Sequence, residues 1–259
     1  MFQSLRLIYF SPTGTTRKTC EAIAEGLCAK RVVHCDLTLP TADCEAGPTD
    51  EVTIIAAPVY AGRVPELFLE RIQTLSADNV PTVLVALYGN RAYEDALVEL
   101  RDVVTTKGFK VIAAGAFIGE HSYSTAQRPI AAGRPDAGDL RLAVEFGRQV
   151  AARLERNLLD TPEIRGNVPY RQRPPLGGVA PETDPAKCTL CGACAEVCPP
   201  GIVSVADTVV TRAESCIMCC ACLRACSFGA RVFTHPAIAE KRAMLFSNCS
   251  APKGPELFV

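Results

Sequence analysis

Nine of the fourteen cysteines fall between residues 188 and 226, in two runs that begin 28 residues apart. The first run is Cys188-Thr-Leu-Cys191-Gly-Ala-Cys194-Ala-Glu-Val-Cys198-Pro199. The second is Cys216-Ile-Met-Cys219-Cys220-Ala-Cys222-Leu-Arg-Ala-Cys226-Ser227. Both follow C-x₂-C-x₂-C-x₃-C. Thiolates at such spacing bind zinc or iron–sulfur clusters. Zinc takes four ligands per site, usually as two separated pairs, so two complete runs favour two [4Fe–4S] clusters. Three closely spaced cysteines wrap three corners of a cubane, and the fourth enters a helix that leads toward the other cluster. Cys220 is surplus to this pattern and reads as a small packed thiol. Ser227 stands where the first run has Pro199. Loss of that proline frees the chain or adds a hydroxyl near the cluster bound by Cys198.

A second constellation lies near the start. The apolar run Leu5–Phe10 leads into Ser11-Pro12-Thr13-Gly14-Thr15-Thr16, and a helical pattern follows. Backbone N–H groups, the positive helix end and hydroxyl donors together make an anion site suited to phosphate. The loop matches neither the Gly-x-x-x-x-Gly-Lys pattern of nucleotide hydrolases nor the Gly-x-Gly-x-x-Gly dinucleotide fingerprint. Two further polar loops follow apolar runs: Pro58-Val59-Tyr60-Ala61-Gly62-Arg63 and Tyr88-Gly89-Asn90-Arg91-Ala-Tyr93. Gly119-Glu120-His121-Ser122-Tyr123-Ser124 closes a third.

These loops need a scaffold. Residues 1–160 alternate between strand-like and helix-like segments. Apolar runs at Leu5–Phe10, Val32–Leu37, Val52–Val59, Val80–Tyr88 and Lys110–Ile118 read as strands. Helical patterns cover Thr15–Lys30 (Cys20, Ile23, Ala24 and Leu27 on one face), Pro65–Leu75, Tyr93–Thr106 and Leu140–Leu159 (apolar at Leu142, Val144, Phe146, Val150 and Leu154). This pattern predicts an α/β doubly wound, five-stranded parallel sheet with helices on both faces, whose ligands sit beyond the C-terminal ends of the strands. Residues 161–181 are a Pro/Gly-rich linker, either a flexible tether or a semi-rigid strap. Residues 182–236 hold the cysteine runs, each followed by a short β-like stretch (Ile202–Val205 and Arg231–Thr234), as in a duplicated half-domain. Residues 237–259 form a C-terminal tail. Its apolar end, Pro255-Glu-Leu-Phe-Val, fits packing on the first domain or on a second copy in a homodimer. Cys249 has no ligand spacing and reads as free.

The formal charge of −1 gives no electrostatic footprint for nucleic acid or an acidic membrane surface. Thiolate ligands and a bound phosphate would carry the loaded protein several units more negative. No stretch approaches the ~18 apolar residues of a membrane span, and the N-terminus lacks the pattern of an export signal. The expectation is a cytoplasmic protein in which dense cysteine means metal rather than disulfide.

The two cysteine runs resemble those of two-cluster bacterial ferredoxins. That resemblance places Cys188, Cys191, Cys194 and Cys226 on one cluster, and Cys216, Cys219, Cys222 and Cys198 on the other. The Ser11–Thr16 loop resembles the phosphate loop of flavodoxins, which bind FMN, and implies the flavodoxin strand order 2-1-3-4-5. Together with Pro58–Arg63, Tyr88–Arg91 and Gly119–Ser124, these motifs make nearly the whole chain similar to the flavodoxin–ferredoxin fusion proteins of anaerobes. The resemblance implies FMN held by Ser11, Thr13, Gly14, Thr15 and Thr16, by Pro58, Val59, Tyr60, Ala61 and Gly62, and by Tyr88, Gly89, Asn90, Arg91 and Tyr93. Tyr60 and Tyr93 are the expected stacking partners. Gly62 can turn a carbonyl toward a protonated flavin nitrogen. Arg63 and Arg91 either stabilise an anionic reduced flavin or are solvated or phosphate-bound.

The expected function is an electron carrier without catalytic residues, relaying electrons between FMN, two [4Fe–4S] clusters and partner redox proteins such as ferredoxin-dependent or low-potential oxidoreductases. The alternative is an FMN-dependent reductase of a quinone, disulfide or similar small molecule, with His121 or Tyr123 as proton donor. A docking scaffold that has lost its flavin is a third reading, opposed by the intact Ser11–Thr16 loop.

Overall fold

The computed structural model describes residues 3–41, 44, 52–175 and 178–259. The apolar runs of the first part form β1 (Ser4–Tyr9), β2 (Arg31–Asp36), β3 (Val52–Pro58), β4 (Val80–Tyr88) and β5 (Phe109–Ile118). They pair in parallel in the order β2-β1-β3-β4-β5. Side chains of successive strand residues point to opposite faces, so each strand feeds two cores. Ile8, Ile55 and Leu84 join one, and Leu7, Ile54 and Val83 join the other. The first face is covered by α2 (Glu66–Arg71) and α3 (Ala96–Thr105), through Phe68, Leu97 and Leu100. The second is covered by α1 (Thr15–Leu27) and α4 (Ala137–Glu155), through Ile23, Leu27, Phe146 and Val150.

The last two helices cross at glycine. A Cβ on Gly26 would lie 2.0 Å from the Val144 carbonyl oxygen, and one on Gly147 would lie 2.2 Å from that of Ile23. The α4 helix starts earlier than its apolar pattern predicts because Asp136 and Asp139 form a capping box. Leu142, expected on the apolar face, is 46% exposed.

The Pro/Gly-rich segment is a strap. Ile164 is buried in the first core. Asn167 donates its backbone N–H and its amide to Asp95, and Arg171 N–H donates to the other oxygen of the same carboxylate at 2.7 Å. Arg173 donates to the Val64 carbonyl and to Glu99.

Beyond it, β6 (Glu182–Thr183) pairs with β9 (Arg231–Val232), and β7 (Val203–Val205) pairs with β8 (Val209–Thr211), both antiparallel. Between these strands lie the single-turn helices α5 (Ala193–Glu196) and α6 (Ala221–Arg224). The tail begins with α7 (Pro236–Asn248), its proline in the first turn. It ends in β10 (Glu256–Phe258), which returns to pair antiparallel with β5. The sheet therefore has six strands rather than five, and the apolar C-terminus packs on the first domain. Among the described residues, one disulfide joins Cys35, on β2, to Cys44, with Cα atoms 5.2 Å apart. This departs from the reading of cysteine here as metal ligand or free thiol.

Candidate functional site

The two cysteine runs converge on two pockets. One is lined by Cys188, Cys191, Cys194 and Cys226. The other is lined by Cys198, Cys216, Cys219, Cys220 and Cys222. Each pocket takes the last cysteine of one run and the first three patterned cysteines of the other, and the second pocket takes Cys220 as well. The chain reaches around each pocket through tight left-handed turns. Leu190 and Gly192 in the first run, and Met218 and Cys220 in the second, all have positive φ. Among the described residues, no group of three or more His, Cys, Asp or Glu could hold a metal ion.

Backbone amides point at these sulfurs: Ala230 N–H at Cys226 (3.2 Å) and Met218 N–H at Cys216 (3.4 Å). Burial pushes the Cys226 thiol up, but the amides of residues 228–231 outweigh it and hold the thiol below its ordinary value. Burial pushes Cys219 up to about 12. It would give up its proton only to a bound metal.

Beyond the C-terminal ends of the parallel strands lies a cleft enclosing about 1370 Å³, part of it open to solvent. Thr13, Thr15 and Thr16 form one end, and Pro58–Ala61 and Leu87–Gly89 line it further along. Gly119–Tyr123 and Arg91 add polar groups. Its outer wall comes from far along the chain: Pro174 and Pro175 of the strap, Ile217 and Met218 between two pocket cysteines, and Met244 and Leu245 of α7.

Family models match this architecture in two places: a flavodoxin domain over residues 6–126 and a 4Fe-4S binding domain over residues 181–204. The chain is a flavodoxin–ferredoxin fusion. The 4Fe-4S match contains the first cysteine run, and the second lies beyond it. No curated protein matches the chain. Among solved structures, an archaeal flavodoxin aligns with a TM-score of 0.45 at 12% identity, over 59% of this chain and 99% of its own. Oxidised flavodoxin 1 of Bacillus cereus aligns at 0.44 and 14% identity, over 58% of this chain and 98% of its own.

The flavodoxin cleft fits a phosphorylated planar ligand. Helix α4 closes its N-terminus with side chains, whereas α1 has no side-chain cap and starts from Gly14 in the left-handed region. The α1 end and the Thr13 and Thr15 hydroxyls, 3.4 Å apart, form a donor set for an anion. Ser11 and Gly14 shape the loop from behind. The Ser11 hydroxyl accepts from Arg17 N–H (3.0 Å), and its backbone N–H donates to Thr38 Oγ1 (2.8 Å).

Several residues expected at the flavin lie elsewhere. Tyr93 packs on Tyr88 and donates to Glu256 at 2.7 Å, in a neighbouring pocket under the tail. Asn90 is buried and gives its amide to the carbonyls of Cys249 and Ala251. Gly62, with Ala61, makes the Tyr60–Arg63 turn, and its carbonyl accepts from Asp95 N–H at 3.0 Å, turned away from any flavin. Arg63 is bidentate on buried Glu99, at 2.8 and 2.6 Å. Arg91 reaches the cleft but is also bidentate on Glu94. Ser227 is exposed and follows Cys226, a residue of the pocket that lacks Cys198.

Tyr60 remains in the cleft. Its phenol is pushed well up by burial and then by Cys219 and Cys220, which places it beside the second thiol pocket. Burial, with Arg91 and Lys241, draws His121 down to about 4. Its Nδ1 accepts from Tyr123 N–H at 3.0 Å, so the ring is neutral at neutral pH with its proton on Nε2. The distant wall residues carried no local signal, because their position depends on how the two domains dock.

Proposed function

We propose that this protein is a multi-centre electron carrier, with FMN in the flavodoxin cleft and a [4Fe–4S] cluster in each thiol pocket, serving partner redox proteins. The observation that carries this reading is a shared wall: Ile217 and Met218 line both the flavin cleft and the pocket of Cys198, Cys216, Cys219 and Cys222. Bound FMN supplies a centre that exchanges one or two electrons, and each cluster exchanges one. The protein's own residues hold the phosphate (Thr13, Thr15, Thr16), flank the ring (Tyr60, Tyr88) and supply the thiolates.

The small-molecule reductase reading needs room over the ring and a proton donor. The strap prolines, Met218, Met244 and Leu245 occupy that side of the cleft. His121 is neutral near pH 7, and Tyr123 is held protonated, chiefly by burial. Neither is tuned as an acid for neutral pH.

The test is a stepwise anaerobic reductive titration of reconstituted protein, followed by visible absorption and EPR. Two cluster signals and one flavin per chain are the expected result. A chain that binds no flavin, or iron for only one cubane, would overturn the reading. Turnover of a quinone or disulfide at the flavin, unaffected by loss of the clusters, would favour the reductase.

A further inference from the structure

The two thiol pockets differ in where they face. Around the first, Cys191 is exposed, Cys188 and Cys226 are half-buried, and Cys194 is buried. Leu190 (43% exposed) and Phe228 (55% exposed) rim it. Around the second, Cys198, Cys219, Cys220 and Cys222 are buried and only Cys216 is half-buried. Contacts with the flavodoxin domain cover this side. Arg71 donates to the Leu37 carbonyl (2.7 Å) and, from its other nitrogen, to the Pro199 carbonyl (2.6 Å), tying β2's exit loop to the residue after Cys198. Tyr123 donates its hydroxyl to Met218 Sδ at 3.5 Å. No residue of the first pocket lines the flavin cleft, whereas Ile217 and Met218 belong to both the cleft and the second pocket.

Electron transfer rates fall exponentially with the distance between centres, so the pocket that shares lining residues with the cleft is the one that communicates with it. We propose that the centres stand in a fixed order. The pocket of Cys198, Cys216, Cys219 and Cys222 faces inward and exchanges single electrons with the flavin cleft across Ile217 and Met218. The pocket of Cys188, Cys191, Cys194 and Cys226 faces outward and exchanges single electrons with a one-electron carrier arriving from solvent. This order rests on the functional reading above and adds a polarity to it. Each transfer moves one electron from one named centre to the next and forms or breaks no bond. Met218 is the positioning residue, set in the left-handed region (φ 52°) with its thioether against Tyr123.

The experiment uses fully reduced holoprotein with both cluster EPR signals resolved. A water-soluble dysprosium chelate speeds spin relaxation of a centre near the surface. The expected result is that one signal responds strongly and the other weakly, and that Cys191→Ser perturbs the responsive one. Met218→Ala should then shift the other signal and the flavin midpoint potential together, leaving the responsive signal unchanged. Equal response of both signals to the chelate overturns the order, as does a Met218→Ala effect on the signal that Cys191→Ser perturbs. The chelate measurement on unmodified protein decides the matter even where a variant fails to fold. Absence of flavin or of a second cluster signal would sink the carrier reading itself. Full loading with the wrong sensitivities would sink only the order.

Discussion

Arg231 is the side chain whose removal should read most directly on the clusters. It is 4% exposed and, among the described residues, no carboxylate pairs with it. Its terminal nitrogens donate to Thr183 Oγ1 (2.6 Å), to Thr211 Oγ1 (2.9 Å) and to Cys222 Sγ (3.9 Å). Its Nε is buried without an acceptor. An unpaired buried cation costs several kcal/mol, which a thiolate-bound cluster of net negative charge would offset. The guanidinium lines the outer pocket and touches a cysteine of the inner one, so it sits between the two. With a cluster in each pocket, as proposed, it should favour the reduced state of both. A unit charge at 3.9 Å from the nearest sulfur, with an effective dielectric of about 20, interacts by about 4 kcal/mol. An added electron is spread over the whole cubane, so roughly half of that, ~2 kcal/mol, is the expected effect, or ~90 mV for a one-electron couple. Arg231→Gln should lower the midpoint potential of the inner cluster by this order and that of the outer one less. Arg231→Lys should recover most of the difference. The assay is an EPR-monitored redox titration of loaded protein. Unchanged or raised potentials in Arg231→Gln would refute the electrostatic account, as would an Arg231→Lys variant that falls as far.

Three further outcomes are expected. Thr15→Val, by removing a hydroxyl from the phosphate end of the cleft, should weaken FMN binding by about 10- to 100-fold, the range for one hydrogen bond to a charged group; fluorescence titration of apo-protein with FMN measures it. Glu99→Ala takes a shared carboxylate from half-buried Arg63 and Arg173, and losing such charged hydrogen bonds costs about 1.5–3 kcal/mol. It should lower Tm and open residues 161–181 to limited proteolysis. The folded-state pKa of His121, about 4, lies below its ordinary 6.5. The unfolded chain therefore binds that proton first, and stability falls as pH drops from 6.5 to 4, by at most about 3 kcal/mol. Denaturant midpoints at pH 7.5 and 5.0 should differ less in His121→Gln than in the parent protein.

The parallel strands were legible because their residues are apolar on both faces, as a sheet covered on both sides requires. Val80–Tyr88 is bounded alike by pattern and by structure. The β10 strand was not, since three residues show no usable alternation and the strand exists only because β5 offers an open edge. The same tail explains Tyr93 and Asn90. Loop position placed both near the strand ends, but Glu256, Cys249 and Ala251 claim their polar groups. The Cys35–Cys44 pairing had no spacing signal, since a disulfide partner is set by the fold. Thr13, Thr15, Tyr60 and Gly89 were readable because a strand end dictates where the next few residues go. Ile217 and Met218 were hidden between two cysteines of the second run, and their place in the cleft wall arises from domain docking.

The two cysteine runs of matched spacing give a check on the inward and outward assignment. The runs differ at matched positions, and the differences follow pocket membership rather than run membership. Leu190 and Met218 correspond, both left-handed, yet Leu190 is exposed at the outer pocket and Met218 packs against Tyr123. Gly192 and Cys220 correspond, with φ of 84° and 65°. At Gly192 a Cβ would meet nothing within 4 Å, while Cys220 is buried among Tyr123, Ile130, Ile238 and Leu245. A side chain in this conformation costs about 1 kcal/mol or more, and burial of the Cys220 thiol against α7 offsets it. Pro199 and Ser227 correspond after the last cysteine of each run, but here the order reverses. The first-run residue is buried at the interface and the second-run residue is exposed. The reversal is what the exchange of fourth cysteines demands, because Cys198 serves the inner pocket and Cys226 the outer. Divergence by run would keep all three differences in the same sense. Divergence by pocket inverts the third, as these residues do.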